Sequence, residues 1–471
     1  MRFLLPAIAL VLPLTTPVHA ADLLAVFQQA KANDPLIREA DATRLANREA
    51  RPQALAGLLP QIAGSASRTK ADSSSTGQRP QEIEQPAGSG NFVVFNFVGS
   101  SDSKPETDRW SIDLRQSVFA WENWVALKRA NKQVAQAEAD YAAAEQDLIS
   151  RVASRYFDVL AAKDNLQAQE AARDAFARQL EQAEKRFEVG LIAITDVQEA
   201  KAARDNAAAQ VIAAKRQLSS TEEALREVTG SEYDLLAAPR TDMPLASPDP
   251  ADENRWVEVS MEQNLGLISS RLAADIARDD VRAAFGGHLP SIDLVASRSN
   301  TNQESTVNFA SGNSGISTSD SNDKSVSLQL SVPIFSGGAA QSQVRASQYR
   351  WIAAKERLER TSRATERQAR DAYLGVISEI SRVQALRQAL ESSRTALKAT
   401  EAGYEVGTRT AVDVLDSRRT LVQAETNYLR SRYDYINNVI NLRLAAGTLN
   451  EETLAEINSW LSETAPEAPS P

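Results

Sequence analysis

Cysteine is absent from the 471 residues, which excludes a disulfide framework, a thiolate metal site and a lipid-carrying cysteine at a cleavage site. Histidine occurs only at His19 and His288, so no histidine cluster is available for a metal or for acid–base work. No GxxxxGK phosphate loop is present. Basic excess is lacking too: 52 Lys and Arg stand against 62 Asp and Glu, and the net −10 excludes nucleic acid as a partner held by phosphate contacts. Aromatic residues make up only 6%. With a mean hydropathy of −0.36 and abundant alanine, the composition points to long helices.

Long apolar runs are missing as well. The only one near the start is Phe3 to Leu14, which follows Arg2 and precedes the small-residue site Val18-His19-Ala20. That layout predicts an export signal over residues 1–20 and a mature chain from Ala21, with net charge −11 once Arg2 is removed. No later run approaches the ~18 apolar residues of a spanning helix. An exported chain of this kind crosses a membrane as β-strands or not at all.

What is present is a repeat. Glu188-Val189-Gly190 returns 217 residues later as Glu405-Val406-Gly407, Asp196-Val197 returns as Asp413-Val414, and Gly230 as Gly447. Leu114–Phe119 returns after 216 residues as Leu330–Phe335, and Leu59-Pro60-Gln61-Ile62 after 230 as Leu289-Pro290-Ser291-Ile292. Collinear anchors predict two duplicate halves. The fall in offset from 230 to 216 places 14 extra residues in the first half, within Thr69 to Asp108, a stretch rich in Ser, Gly, Pro and Gln that predicts a loop. Inside it lies one apolar island, Phe92 to Val98.

Each half carries the same predicted elements. A helix from Asp22 to Leu58 ends at Pro60, and a short strand follows from Gln61 to about Arg68. A second strand, Trp110 to Val118, sets Trp110, Ile112, Leu114 and Val118 on one face against Ser111, Asp113, Arg115 and Ser117. In the second half Val326, Leu328, Leu330, Val332 and Ile334 oppose Ser325, Ser327, Gln329 and Ser331, and Ile292, Leu294 and Ala296 oppose Asp293. Very long helices come next, about Trp121 to Phe187 and Gly338 to Tyr404, with a coiled-coil seam at Tyr141, Leu148, Val152, Tyr156 and Val159. Roughly 65 residues at 1.5 Å each give a rod of about 100 Å. After a turn, second helices run from Thr195 to Thr229 and from Thr410 to Ala446.

Alternating strands of about ten residues suit a membrane barrel and suit a soluble sandwich equally. Phe119, Trp121 and Trp124, where strand becomes helix, fit an interfacial girdle or ordinary packing at a bend. If the strands span a membrane, two per half cannot close a barrel and the protein must oligomerise. Gly190 and Gly407 fit left-handed helix C-caps. Asp413 and Asp416, three apart, share a helix face. They serve either as dipole-complementing acids or, repeated around a ring of subunits, as a cation-favouring constriction.

The stretches Val189–Gln198, Gly403–Asp416 and Gly287–Pro290 resemble the outer membrane efflux protein (outer membrane factor) family, and the likeness covers essentially all of the mature chain. That resemblance implies a mainly α fold with β: a homotrimeric channel-tunnel with four transmembrane strands per chain in a shared 12-stranded barrel, above long periplasmic coiled-coil helices. It implies segments 1–20 (signal), 21–230 (first repeat), 231–252 (equatorial linker), 253–447 (second repeat), 448–463 (equatorial C-terminal segment) and 464–471 (disordered tail). The implied role is a passive exit duct for multidrug efflux, type I secretion or both, opened by an iris-like untwisting of helix pairs. Implied partners are a periplasmic adaptor, an inner membrane pump or ABC exporter, and outer membrane lipid, with no cofactor, no metal and no catalysis. Asp413 and Asp416 become the acidic ring of the closed entrance. Tyr404 and Arg409 become a latch reaching toward Thr195, Asp196 and Gln182, and Gly190 and Gly407 become adaptor contacts. A periplasmic coiled-coil tether without a pore and an exported hydrolase are the rival readings.

Overall fold

The structure is a computed structural model that describes residues 20–240, 242–309 and 314–462. The signal expected over residues 1–20 (Ala20 apart) and the tail expected over 464–471 lie outside the described residues. Two compact units emerge: one from residues 47–134 and 273–355, the other from the described parts of 1–46, 135–272 and 356–471.

The first unit contains an antiparallel sheet of β1 (Gln61–Lys70), β2 (Ser73–Glu84), β3 (Phe92–Phe119), β4 (Ser291–Phe309) and β5 (Ser314–Ser331). Its order is β1-β3-β4-β5, with β2 also on β3. β1 and β2 share one register along β3, from Gln61↔Arg115 to Glu84↔Phe92, and in the gap Ala71 N–H donates to Pro105 O. The loop expected over Thr69 to Asp108 is therefore a long hairpin. Its non-strand tip is confined to residues 85–91, where Gly88 and Gly90 take positive φ. Ser, Thr and Gln are compatible with a solvated strand, and the apolar island has high strand propensity. Loop-like composition misled where backbone pairing decided.

Pairing partners keep a common parity across the sheet, so even-numbered residues share one face. That face carries Ile62, Ile112, Leu114, Val326, Leu328 and Leu330, and all of these but half-buried Leu114 stand open in the single chain, Val326 at 77% exposure. Between the helices and the Trp110 row the odd face is polar apart from Ala63 and Val295, and self-bonded. Ser65 and Ser111 Oγ atoms lie 3.0 Å apart, Ser297 and Ser325 2.9 Å apart, and Arg115 donates to Asp293 at 3.0 Å. A soluble sheet buries its apolar face; here both faces of β1 and β5 are exposed, so the apolar face has no cover within the chain.

Helices α1 (Leu23–Asn33), α2 (Pro35–Arg48) and α3 (Ala50–Ala56) replace the single helix expected from Asp22 to Leu58. The break falls at Asp34, whose extended backbone (φ −62°, ψ 121°) is what a following proline favours. The remaining helices are α4 (Trp121–Glu188), α5 (Ile194–Thr229), α6 (Glu253–Gln263), α7 (Leu265–Phe285), α8 (Ala339–Glu405), α9 (Ala411–Ala446) and α10 (Glu451–Asn458). None of the described helices is long and apolar enough to cross a membrane. In the sheet's unit, Trp121 Nε1 donates to Arg282 O at 2.9 Å and fixes the start of α4. Buried Asp279 is met by Lys132 and Arg282, each at 2.7 Å; burial works against its charge, yet these cations hold the carboxyl below its usual range.

The main core belongs to the second unit. Leu148, Val152, Tyr156 and Phe157 of α4 pack with Leu23 and Phe27 of α1, Ile436 and Ile440 of α9, and Leu454 and Ile457 of α10. Two irregular segments are tied into it through backbone atoms. Tyr156 Oη lies 2.6 Å from Ala237 O and 3.1 Å from Ala21 O, Tyr435 Oη donates to Ala246 O at 3.0 Å, and Pro239 bridges Leu461. Gly447 ends α9 at φ 76°, and a Cβ there would strike the Gln263 carbonyl and come within 2.8 Å of Asn264 Cα.

Asp34, nearly fully buried, pairs with Arg151 at 2.7 Å and also accepts from Leu36 N–H. Removing one partner of a buried pair strands the other charge. Arg151→Met is expected to cost roughly 3–5 kcal/mol and to lower the unfolding midpoint by circular dichroism. Exposed Lys185→Met is expected to shift stability by less than about 1 kcal/mol.

Candidate functional site

The residues singled out by sequence sit at two helical turns of one unit, α4 to α5 and α8 to α9. Both turns close in the same way. Leu191 N–H donates to Arg186 O and Thr408 N–H to Gly403 O, each at 2.8 Å, with Gly190 and Gly407 at φ 76° and 79°. This six-to-one bond around a left-handed glycine satisfies orphan carbonyls at a helix end. Gly403 has a steric reason as well, since a Cβ would lie 2.8 Å from Arg409 Cγ. Val189, Leu191 and Val406 are left exposed at the turns.

Beyond the glycines the turns differ. α9 starts with a capping box: Thr410 N–H donates to Asp413 Oδ2 at 2.8 Å and Asp413 N–H to Thr410 Oγ1 at 3.2 Å. Hydrogen bonds from the Thr410 backbone and hydroxyl, with the nearby Arg409 charge, hold the Asp413 carboxyl below its usual range. The N-cap of α5 is Ala193, which has no side chain able to cap, and Asp196 N–H donates to Ala193 O. Asp416, one turn beyond Asp413, is exposed and accepts from Arg419 at 3.0 Å.

Tyr404 is half-buried beneath Arg186, whose guanidinium lies 4.8 Å from the ring centroid, within cation–π range. Arg409, Thr195 and Gln182 are exposed and Asp196 is half-exposed. Among the described residues, no hydrogen bond or ion pair joins Tyr404 or Arg409 to Thr195, Asp196 or Gln182 within the chain. The structure thus gathers these groups at the two turns without linking them. Arg186 was not among the residues singled out; its place one turn before Gly190 was the available signal.

Apolar packing near the turns is thin. Leu180, Ala183, Val197 and Ala200 form one small cluster, and Ala172, Phe176, Ala203, Ala207 and Leu415 another. Polar links tie α8 to α9: Arg418 with Glu401, Ser417 Oγ to Thr400 Oγ1 at 3.2 Å, and Arg394 with Glu425 at 3.7 Å. Each exposed ion pair contributes only about 0–1 kcal/mol, so the ends of the helix pairs are held much more weakly than the main core.

Further along, a polar cavity of about 630 Å³ opens between α4, α5 and α9, lined by Arg155, Asp158, Asp164, Arg430, Tyr433 and Asp434 among others. Tyr433 Oη donates to Asp164 at 2.6 Å. Burial pushes both Asp158 and Asp164 up. Sequence reasoning missed this site, although Asp164 lies on the helical stripe of Phe157 and Leu160. No group of His, Cys, Asp and Glu suited to a metal ion occurs among the described residues.

A sheet with an uncovered apolar face stands in one chain with two helices of 68 and 67 residues, the combination of elements found in outer membrane channel structures of the same fold. Residues 26–231 and 256–448 match the outer membrane efflux protein family, and the chain belongs to that family. It is 37% identical over 456 residues to the outer membrane protein TolC of Vibrio cholerae, covering 95% of each chain. With the alkaline protease secretion protein AprF of Pseudomonas aeruginosa it shares 28% identity over 453 residues, 95% of this chain and 88% of that one. The fold matches the crystal structure of the Campylobacter jejuni CmeC outer membrane channel at a TM-score of 0.70, with 17% identity and 98% of each chain covered.

Because the folded-state pKa of Asp413 is depressed, its contribution to the α9 start is present above the unfolded carboxylate range. It is lost as pH falls through the folded value. Hydrogen exchange of the 403–416 segment is expected to quicken in Asp413→Ala at neutral pH. In the parent protein the protection of the same segment, taken relative to the intrinsic exchange rate at each pH, should fall only below about pH 4.

Proposed function

We propose that the chain is one subunit of a homotrimeric outer membrane exit duct, passive and gated at its periplasmic end, serving multidrug efflux, type I secretion or both. The observation that carries this reading is the apolar, uncovered even face of the sheet backed by a polar, self-bonded odd face. Such a sheet is stable where hydrocarbon meets one side and water the other. Its outer strands pair on one side only, so closure calls for further copies. Membership of the outer membrane efflux protein family supports the same role, which is transport and not catalysis. The name of AprF, a protease secretion protein, favours including secretion. A coiled-coil tether without a pore has no use for the apolar sheet face.

In this reading 21–230 and 253–447 are repeats that each give strands to a shared 12-stranded barrel and a helix pair to a tunnel. Residues 231–252 and 448–463 form a belt around it. Asp413 and Asp416, tripled by symmetry, make a ring of carboxylates at the entrance. Tyr404 and Arg409 latch it toward Thr195, Asp196 and Gln182 across helix pairs, with Arg186 over the Tyr404 ring setting that side chain's position. The exposed apolar turns at Gly190 and Gly407 take the helical hairpin of a periplasmic adaptor, through which an inner membrane pump or ABC exporter is recruited. Weak links at these turns let the helix pairs untwist without disturbing the core around Tyr156.

In planar bilayers, Tyr404→Phe combined with Arg409→Glu is expected to raise single-channel conductance several-fold, and unchanged conductance removes the latch. Asp413→Asn with Asp416→Asn is expected to lower cation selectivity and relieve block by trivalent cations. Retained block places the ring elsewhere.

A further inference from the structure

The even face of the sheet changes character row by row toward the hairpin tips. Its apolar rows end at an aromatic one, where Trp110 stands opposite Ala66 and Asn300. Eight residues separate Ile292 from Asn300, about 26 Å along the strand or roughly 20 Å of height at a tilt of about 40°, which fits within a lipid-facing band about 25 Å tall. One row below Trp110, Ile112 pairs with Arg298 and Arg298 pairs with Lys324, so two cations stand directly opposite each other on the same face. Both are exposed. Directly opposed like charges repel at Cβ separations of about 5 Å.

Asp113 and Asp323 lie on the odd face, and the acids on the even face that could neutralise the two cations are otherwise engaged or remote. Two rows beyond Trp110, Glu106 is held by Lys70 at 2.5 Å and by Arg68 at 3.3 Å, and Asp108 lies 3.5 Å from Arg68. Asp320 accepts from Asn300 at 2.8 Å. Glu304 lies three rows from Arg298, about 20 Å along the strand. Neither Arg298 nor Lys324 forms an ion pair among the described residues. The Arg298 guanidinium lies 5.9 Å from the Trp110 ring, so it leans toward the aromatic row and away from the apolar band. Long cationic side chains at the border of such a band reach for the interface.

We infer that Arg298 and Lys324 form a binding site for the phosphate of an anionic outer-leaflet lipid headgroup, with Trp110 as its aromatic wall. This rests on the outer membrane reading above. A phosphate oxyanion between the two removes their mutual repulsion, and the guanidinium supplies paired donors while the ammonium supplies a point charge. The acyl chains of the same lipid lie along Ile112, Leu114, Val326 and Leu328. A soluble anion lacks that second contact, so the site favours a phosphorylated lipid over free phosphate.

The test uses the full chain reconstituted in phosphatidylcholine nanodiscs. Thermal midpoints are compared with added lipid A, dephosphorylated lipid A or inorganic phosphate. Lipid A is expected to raise the midpoint, and the other two are expected to leave it unchanged. Arg298→Gln with Lys324→Gln is expected to lose at least half of the rise while keeping its conductance, whereas Arg68→Gln keeps the rise. A full rise in the double variant, or an equal rise with dephosphorylated lipid A or with inorganic phosphate, overturns the site. Failure of the parent chain to enter a bilayer overturns the outer membrane reading together with the site. Successful insertion with a negative lipid result overturns the site alone.

Discussion

Strands β1 and β5 each pair on one side only, and the face between them is apolar. In water, unpaired edge amides are solvated and the apolar face is the problem. In hydrocarbon the apolar face is satisfied and the edges are the problem, because each unpaired backbone group there costs several kcal/mol. Both demands are met when edges from several copies pair and the sheet closes with its polar face inward. In the proposed duct, oligomerisation and an arc-like share of the barrel both follow from that backbone constraint.

The helical part divides its work between strong and weak regions. Around Tyr156 large buried side chains and backbone-directed tyrosine hydroxyls fix the irregular segments to the helices. Near the two turns the contacts are two small clusters of alanines with a few larger apolar side chains, a few ion pairs and one cation–π stack. A helix pair anchored firmly at one level and lightly at its end is suited to move at that end. Asymmetry between the turns adds to this: Thr410 and Asp413 cap one helix reciprocally, while Ala193 leaves the other uncapped.

Much of this architecture is legible in the sequence for physical reasons. Left-handed glycines at 190, 230, 407 and 447 stop helices within a residue or two of the expected positions, because only glycine takes that conformation without strain. Strand alternation revealed the two faces of β3 and β5. Composition failed where pairing overrides it: the hairpin of β2 and β3 looks like loop until Glu84 is set opposite Phe92. The break at Asp34 was hidden because helical spacing continues through it, although Pro35 was its visible cause. Among site residues, the glycines and the pair Asp196 and Asp413 at the turns were legible from the repeat, and Asp416 from its spacing to Asp413. The stack of Arg186 on Tyr404 was not, since it joins helices from opposite halves of the chain. The Arg298–Lys324 juxtaposition likewise depends on a register that sequence alone does not fix.

The absence of cysteine makes the central claim directly measurable. Single substitutions Val326→Cys, Ser327→Cys, Leu328→Cys and Gln329→Cys allow a spin label to be placed at each position in the membrane-reconstituted protein. The account predicts strict alternation, with 326 and 328 open to oxygen dissolved in lipid and 327 and 329 open to a water-soluble relaxing agent. Uniform access to the water-soluble agent at all four positions would contradict a membrane-spanning sheet and the duct built on it.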